Sequence, residues 1–385
     1  MVMMRAYLCS PAALLFLLSA PALAQRARDL GVPFDGAPGP FNAITDIAGI
    51  EVGHTTLIEG DSVRTGVTVI WPRGRQSDDP TFGGWFSLNG NGEMTGTTWV
   101  EESGFVDSPI FITNTHSVGT VRDSYIRWQA DHHRRPGTNS VGDGFWSLPI
   151  VAETYDGFLN DTNGQHVKPQ NVFDAIEQAR SGPVAEGNVG GGTGMICFGF
   201  KGGIGTSSRV AGKYRVAALV QCNCGSKRQL TIAGVPVGLE LDRPAVASIP
   251  KPLEDRGSII IVIATDAPLL PNQTKRLARR ASLGLARLGS VSGNGSGDIF
   301  IAFSTANPKA AAPSGELASI SMLPNDALGP IFEATVQATE EAIVNAMVGA
   351  RDMTGVSGHT VTALPHDGLR QTLQKYNRLA QPAAR

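Results

Sequence analysis

Apolar positions along the chain fall into runs of two periods. Ile259 to Ile263 is an unbroken β-branched run with no polar alternation, which predicts a strand covered on both faces, with Ser258 as the polar residue at its mouth. The Pro-containing, charged stretch Lys251 to Gly257 leads into it. Further buried strands are predicted within Tyr214 to Gly225, ending near Asn223, within Ser108 to Gly119, running into hydroxyl-bearing residues, and within Leu148 to Gly157, and Ile299 to Thr305 reads as a strand opened by the Gly-rich loop 292–298. Near the start, Ala43 to His54 alternates apolar and polar residues and Thr65 to Trp71 follows it, the pattern of a hairpin or neighbouring pair. Helical spacing appears at Thr120 to His132, at Asn171 to Ala179 with Asn171 as the expected N-cap and Asp174 near the first turn, and at Pro330 to Met347. Leu270 to Leu288 is amphipathic, with Leu277, Ala281, Leu285 and Leu288 on one face and Arg279, Arg280 and Arg287 on others. Buried strands alternating with helices, the helices concentrated late, predict a layered α/β architecture.

The N-terminus carries an address. Met1 to Tyr7 holds Arg5, Pro11 to Pro21 is apolar, and Ala22-Leu-Ala24 has the small-residue cleavage pattern, so residues 1–24 are expected to be a signal peptide removed on export. The alternative is an uncleaved anchor, although the apolar run is short for a span. Cys9 lacks the small residue before it that lipid attachment needs. The expected location is periplasmic or secreted, with no membrane contact once the signal is removed. Residues 25–42 are rich in Pro and Gly and predict an extended arm.

Composition changes the picture little. At 42% hydrophobic, 17% charged and a net charge of -2, the chain reads as globular, and it lacks the basic excess of a nucleic-acid partner. Its 46 glycines cluster beside polar residues, which suits loops built for close backbone approach. Beyond Ala24 the cysteines are Cys197, Cys222 and Cys224. A Cys-x-Cys pair on one strand is held apart by extended backbone, so all three are expected to be buried small hydrophobes. No metal is expected: His132-His133 are adjacent in a charged stretch and no metal-ligand spacing occurs.

Several residues are candidates for chemistry. His116 reads as a possible base or as a hydrogen-bonded structural residue. Glu153 and Tyr155, two apart at a strand's end, either face one cleft or form a polar strand end. Asn223 can donate its amide to an oxyanion or simply serve a turn. The Asn and Gly stretch 83–96 reads as a turn set, with Trp85 and Phe86 able to wall a pocket. The Gly clusters at 186–194 and 197–209 lack a phosphate-loop pattern and suit exposed amides or tight packing under a site.

Ordered motifs then carry a resemblance: Asn42-x-Ile-Thr-Asp-x-x-Gly-Ile-x-Val-Gly-His54, Asn89-Gly-x-Gly-Glu-Met-Thr-Gly96, Glu153-Thr-Tyr-Asp-Gly157, Gly192-Thr-Gly-Met195, Gly199-Phe-Lys-Gly-Gly-Ile-Gly-Thr-Ser-Ser-Arg209, Gly257-Ser258 and Gly358-His-Thr-Val361. From about Ile44 to Pro365 the chain resembles the family of L-aminopeptidase D-esterase/amidase and the bacterial β-aminopeptidases. The resemblance implies one domain over residues 25–385, a four-layer αββα sandwich layered like the N-terminal-nucleophile hydrolases but connected differently. It implies self-cleavage between Gly257 and Ser258 into residues 25–257 and 258–385. Lacking a Cβ, Gly257 is expected to take strained torsions and leave its carbonyl open to Ser258 Oγ. The freed α-amine, with a reference pKa of about 7.7 to 8.0, then serves the hydroxyl as base.

By the same resemblance Ser258 is the nucleophile, Tyr155 and Asn223 stabilise the oxyanion, and Glu153 receives the substrate's ammonium. Ser296 and Asp298 support the nucleophile and its amine, although a carboxylate one methylene longer stands at Asp298 in some relatives. Cys224-Gly225 replaces an aromatic expected after Asn223, which leaves the pocket's shape open. The implied function is a serine aminopeptidase acting through an acyl-enzyme on short peptides, amides or esters of β-, L- or D-residues, with no cofactor and as an oligomer of αβ units. Two alternatives are an acyltransferase of the ornithine acetyltransferase type, against which Ser258 and the signal peptide weigh, and an inactive binding protein on the same fold.

Overall fold

The computed structural model describes residues 25–132, 146–241, 257–311 and 317–380. The expected signal peptide, His133 and Lys251 to Arg256 lie outside the described residues. In chain order the strands are β1 (Glu51–Glu59), β2 (Val63–Trp71), β3 (Thr81–Ser87), β4 (Phe105–Val106), β5 (Ile110–Asn114), β6 (Ile150–Thr154), β7 (Ile196–Cys197), β8 (Phe200–Lys201), β9 (Gly203–Ala211), β10 (Tyr214–Asn223), β11 (Ser258–Thr265), β12 (Ile299–Ser304), β13 (Met353–Thr354) and β14 (Thr360–Val361). The helices are α1 (Thr97–Ser103), α2 (Val118–His132), α3 (Pro169–Glu177), α4 (Val237–Glu240), α5 (Pro271–Arg287), α6 (Gly329–Val348) and α7 (His366–Lys375). Among the described residues no helix is long and apolar enough to cross a membrane.

Two sheets carry the fold, a four-stranded one in the order β1-β2-β5-β6 and a six-stranded one in the order β4-β3-β12-β11-β10-β9. Their layering follows from side-chain alternation. On β11, Ile259, Ile261 and Ile263 pack with Leu277, Leu285, Ile343 and Met347 of α5 and α6. Its other face, Ile260, Val262 and Ala264, packs with Ile70, Ile112 and Ile150 of the smaller sheet. The smaller sheet turns Val67, Val69, Phe111 and Val151 outward onto Val121, Tyr125, Val172 and Ile176 of α2 and α3. Helices therefore cover both outer faces and the two sheets meet in the middle, the αββα order expected. Both faces of β11 are covered, which is why its sequence shows no alternation.

The expected hairpin forms as β1 and β2, paired antiparallel from Glu51↔Trp71 to Glu59↔Val63. It starts later than the alternation suggests, because Ile44–Asp46 makes a short 3-10 turn instead. Helix α3 begins at Pro169 with Lys168 at its N-cap, and Asn171 accepts the Lys168 N–H at 2.7 Å from inside the first turn, so Asn171 caps the helix from N3. Trp85 and Phe86 belong to β3, where they pair with Ile301 and Phe300 of β12. Gly83 and Gly84 obscure that strand in the sequence. A Cβ on Gly84 would stand 2.6 Å from the Lys275 backbone nitrogen, so the glycine lets α5 lie directly on the sheet.

Residues 25–42 are not the extended arm expected throughout, since Ala27–Leu30 is a 3-10 helix, and the segment is fixed by buried charge. Arg26 pairs with Glu186 at 2.8 Å, and Arg28 and Arg209 pair with Glu341 at 2.8 and 2.6 Å. Burial pushes the Glu341 carboxyl up, but Arg209 and Arg28 outweigh it and hold it below its usual range.

Candidate active site

The site assembles at one end of the larger sheet. Strand β10 ends on Asn223 and β11 begins on Ser258, and antiparallel pairing sets these two residues opposite each other. Parallel pairing of β11 with β12 brings the 292–298 loop alongside. From that loop the Gly297 backbone N–H donates to Ser258 Oγ at 3.2 Å, and Ser296 Oγ donates to Asp298 Oδ1 at 2.5 Å. Ser258, Ser296 and Asp298 are all buried. The structure thus gathers the supporting pair beside the serine, and the contact to Oγ itself comes from the peptide between them.

The Asn and Gly stretch after β3 clamps this loop. Asn89 accepts the Asp298 N–H at 2.6 Å and donates to the Ser292 and Gly293 carbonyls at 3.0 and 3.1 Å, while Asn91 donates to the Gly295 carbonyl at 2.8 Å. The strands of backbone touch: a Cβ on Gly297 would stand 2.3 Å from the Asn91 carbonyl oxygen. Asn89, Asn91 and Gly297 hold the loop beside Ser258, a role that no spacing rule singles out, because side-chain amides closing loop to loop carry no periodic signal.

Asn223 is held from both ends of its amide. Its Oδ1 accepts the Ile196 N–H at 2.8 Å and its Nδ2 donates to the Tyr155 carbonyl at 2.9 Å. A primary amide has two N–H donors, so a second is available to a substrate. Tyr155 sits one residue past the end of β6 and is 48% exposed, whereas Glu153 on the strand is 3% exposed. The two-residue strand argument therefore does not extend to Tyr155; its phenol lies over Gly157, where a Cβ would meet Oη at 2.2 Å. Glu153 Oε1 accepts the Glu93 N–H at 3.0 Å, and Oε2 accepts from the Thr115 hydroxyl. Burial raises the Glu153 pKa against these two bonds, and the carboxylates of Glu93 and Asp156 push it further the same way. His116 is exposed on the turn before α2, and it is its neighbour Thr115 that reaches Glu153.

At Gly257 the missing side chain matters by close approach, because a Cβ would stand 2.3 Å from the Asn223 carbonyl oxygen and 2.6 Å from Cys224 Cα. One expectation needs correction. The cysteines are not three inert hydrophobes. Cys197 and Cys222 form a disulfide, with Cys224 buried beside it and its Sγ 3.7 Å from that of Cys222. The spacing argument compared only the Cys-x-Cys pair, whereas β7 brings Cys197 onto the end of β10 from 25 residues away. The Gly cluster before β7 serves packing: a Cβ on Gly191 would meet Gln221 Oε1 at 2.2 Å and one on Gly192 the Ile204 nitrogen at 2.4 Å.

A family model described as peptidase family S58 matches residues 42–361. The β-peptidyl aminopeptidase BapA of Sphingosinicella microcystinivorans is 54% identical over 384 residues, covering 94% of this chain and 95% of that protein. That of Sphingosinicella xenopeptidilytica is 46% identical over 380 residues, covering 91% of each. Among solved structures, the L-aminopeptidase D-Ala-esterase/amidase of Ochrobactrum anthropi, described as a prototype of the serine aminopeptidases and a new variant among the Ntn-hydrolase folds, superposes with a TM-score of 0.85 at 47% identity, over 92% of this chain and 99% of that one. A β-aminopeptidase from a Burkholderia species gives 0.83 at 48% identity, over 91% and 99%. A serine and an asparagine facing each other at a sheet end, in a sandwich of this layering and with relatives of this kind along nearly its whole length, have one reading: the chain belongs to peptidase family S58 and is an aminopeptidase, an enzyme that hydrolyses peptide bonds.

Proposed function

We propose that this protein is an exported β-aminopeptidase, activated by cutting its own chain between Gly257 and Ser258. Ser258 Oγ attacks the Gly257 carbonyl, the C–N bond breaks as the ester forms, and water hydrolyses the ester to give a Gly257 carboxylate and a free Ser258 α-amine. That amine then takes the Oγ proton when Oγ attacks a substrate carbonyl. The oxyanion receives the second N–H of Asn223 and the Tyr155 hydroxyl. Collapse of the adduct expels the leaving amine with the proton, and water releases the acyl group from Ser258. Ser296 and Asp298 orient the nucleophile and its amine through the Gly297 loop, and the buried Glu153 carboxylate takes the substrate's ammonium. A β-residue at the N-terminus is favoured by the two β-peptidyl aminopeptidase relatives.

The observation that carries this reading is the register pair of Ser258 and Asn223, with Gly257 pressed against the Asn223 carbonyl. Export rests on the leader pattern of residues 1–24. An oligomer of αβ units rests only on the family resemblance, and light scattering of the processed protein tests it. Intact mass of the purified protein tests the activation step: two pieces meeting at 257/258 support it, and a single chain that turns over β-alanyl amides overturns it. A panel of β-alanyl, L-alanyl and D-alanyl amides tests the preference, and a faster L-alanyl turnover would overturn the β-residue part alone.

A further inference from the structure

Lys201 is fully buried, and its Nζ donates to three backbone carbonyls: Met195 at 2.8 Å, Gly202 at 2.9 Å and Gly192 at 3.4 Å. An ammonium has three N–H bonds and no acceptor, so this cage matches the charged form atom for atom. Burial alone pushes its pKa down to about 7. A buried charge held only by carbonyls is a costly way to close a loop, since an apolar residue of similar length would fill the same space without desolvation. The neighbourhood gives the charge a use.

Met195 and Ile196 share one peptide group. Its carbonyl accepts from Lys201, and its N–H donates to Asn223 Oδ1 at 2.8 Å. Strand pairing sets Lys201 opposite Ile196, so backbone and side chain of one residue grip both sides of that peptide. The Cys197–Cys222 disulfide brackets the same bond, joining the residue after Ile196 to the residue before Asn223. A cation on the carbonyl polarises the peptide and strengthens its N–H as a donor. A stronger donor on Oδ1 strengthens in turn the N–H groups at the far end of the Asn223 amide. The chain also fixes which way the amide points: reversed, Nδ2 would face the Ile196 N–H, donor against donor.

We propose that Lys201 is a positioning residue for catalysis, which acts through the Met195–Ile196 peptide to orient the Asn223 amide and strengthen the N–H it presents beside Ser258. The inference rests on the reading of Asn223 as an oxyanion donor. Such a residue contributes in the transition state more than in substrate binding, which separates it from a residue that only holds the fold.

The test is a double-mutant cycle on Lys201→Met and Asn223→Ala, with kcat and KM normalised to the processed fraction by a burst titration of the acyl-enzyme. Asn223→Ala is expected to lower kcat by about 100-fold or more, the scale of a lost oxyanion donor. Lys201→Met is expected to lower kcat by roughly 10- to 100-fold with KM changed less than about 3-fold, and to cost almost nothing further in the Asn223→Ala background. Full kcat in Asn223→Ala would remove the oxyanion reading and the inference with it. With Asn223→Ala impaired, near wild-type kcat in Lys201→Met overturns the inference alone. An equal loss from Lys201→Met in both backgrounds also overturns it, because Lys201 would then act on the fold and not through Asn223. Should Lys201→Met not be recovered folded, Lys201→Gln, which keeps a neutral donor in the cage, carries the same cycle and the same outcomes.

Discussion

Asn223 stands directly opposite Ser258 across the β10/β11 ladder. Backbone pairing alone fixes that relationship, so a hydroxyl and an amide from residues 35 apart in the sequence meet without either side chain searching for the other. The same register presses Gly257 onto the Asn223 carbonyl.

Gly257→Ala therefore forces a methyl group into backbone that cannot yield without moving Ser258. Self-cleavage of this variant is expected to slow by about 10-fold or more, given that misplacement of reacting groups by about 1 Å can cost about 100-fold. The uncut fraction followed on a denaturing gel measures it, and wild-type timing would show that the close approach has no role.

Replacing Glu153 by Gln keeps the shape that accepts the Glu93 N–H but removes the charge meant for the substrate's ammonium. A charge-assisted hydrogen bond lost there amounts to about 2 kcal/mol, or roughly 30-fold in kcat/KM, mainly through KM. Steady-state kinetics on a β-alanyl amide decides; an unchanged KM would place the ammonium elsewhere.

Two buried groups pull stability in opposite directions as pH changes. His54 is lowered to about 4 by burial, helped by the charge of Arg180. The folded state thus binds fewer protons than the unfolded chain between pH 6.5 and 4, and His54 costs stability as pH falls through that window. Asp156 is raised to about 6 by burial, against the pull of Thr65, Asn160, Thr162 and Asn114, none of which completes a close hydrogen bond to its oxygens. There the folded state binds the extra proton, so Asp156 costs stability as pH rises from about 4 to 6. Each cost is roughly 3 kcal/mol by linkage, and their opposite pH dependences nearly cancel in the intact protein. Asp156→Asn is expected to gain stability over wild type above pH 6 and none below pH 4, whereas His54→Gln gains only in acid. Denaturant midpoints at pH 4, 5, 6 and 7 read both signs; parallel curves for wild type and either variant would refute that assignment.

Removing the Cys197–Cys222 disulfide, which closes a loop of 25 residues, is expected to cost about 3 kcal/mol by loop entropy. Cys197→Ala with Cys222→Ala should lower the unfolding midpoint by that amount and lower kcat as well, since the bond brackets the Ile196–Asn223 hydrogen bond. Loss of stability with unchanged kcat would show that the hydrogen bond holds without its staple.

Much of the fold is legible where burial is two-sided. The run at Ile259 gives β11 because both of its faces are covered, and the stretch from Tyr214 contains β10, which ends at Asn223. Tertiary proximity is what escapes. Gly83 and Gly84 make β3 look like a loop, although they are glycines because α5 and β4 crowd the strand. The burial of Lys201 follows from β8 turning it inward, and Cys197 has no partner until β7 meets β10. The serine, asparagine and glutamate are readable through ordered motifs, and Asn89 and Lys201 lie in such motifs too, but what Asn89, Lys201, Gly297 and Thr115 hold is visible only once loops from distant parts of the chain close on each other.

In the larger sheet β11 and β12 lie between β3 on one side and β10 on the other. A cut before Ser258 would leave them as the inner strands of a sheet whose edges belong to the other piece, and α5 and α6 would cover a face built from both. Neither piece then holds a closed core of its own, so the two halves cannot be made separately and joined late without passing through exposed strand edges. On the proposed cleavage, the chain would finish folding before it is cut, and a molecule that misfolds would never free the Ser258 α-amine. The cut would then be a certificate of correct folding, issued once and irreversibly.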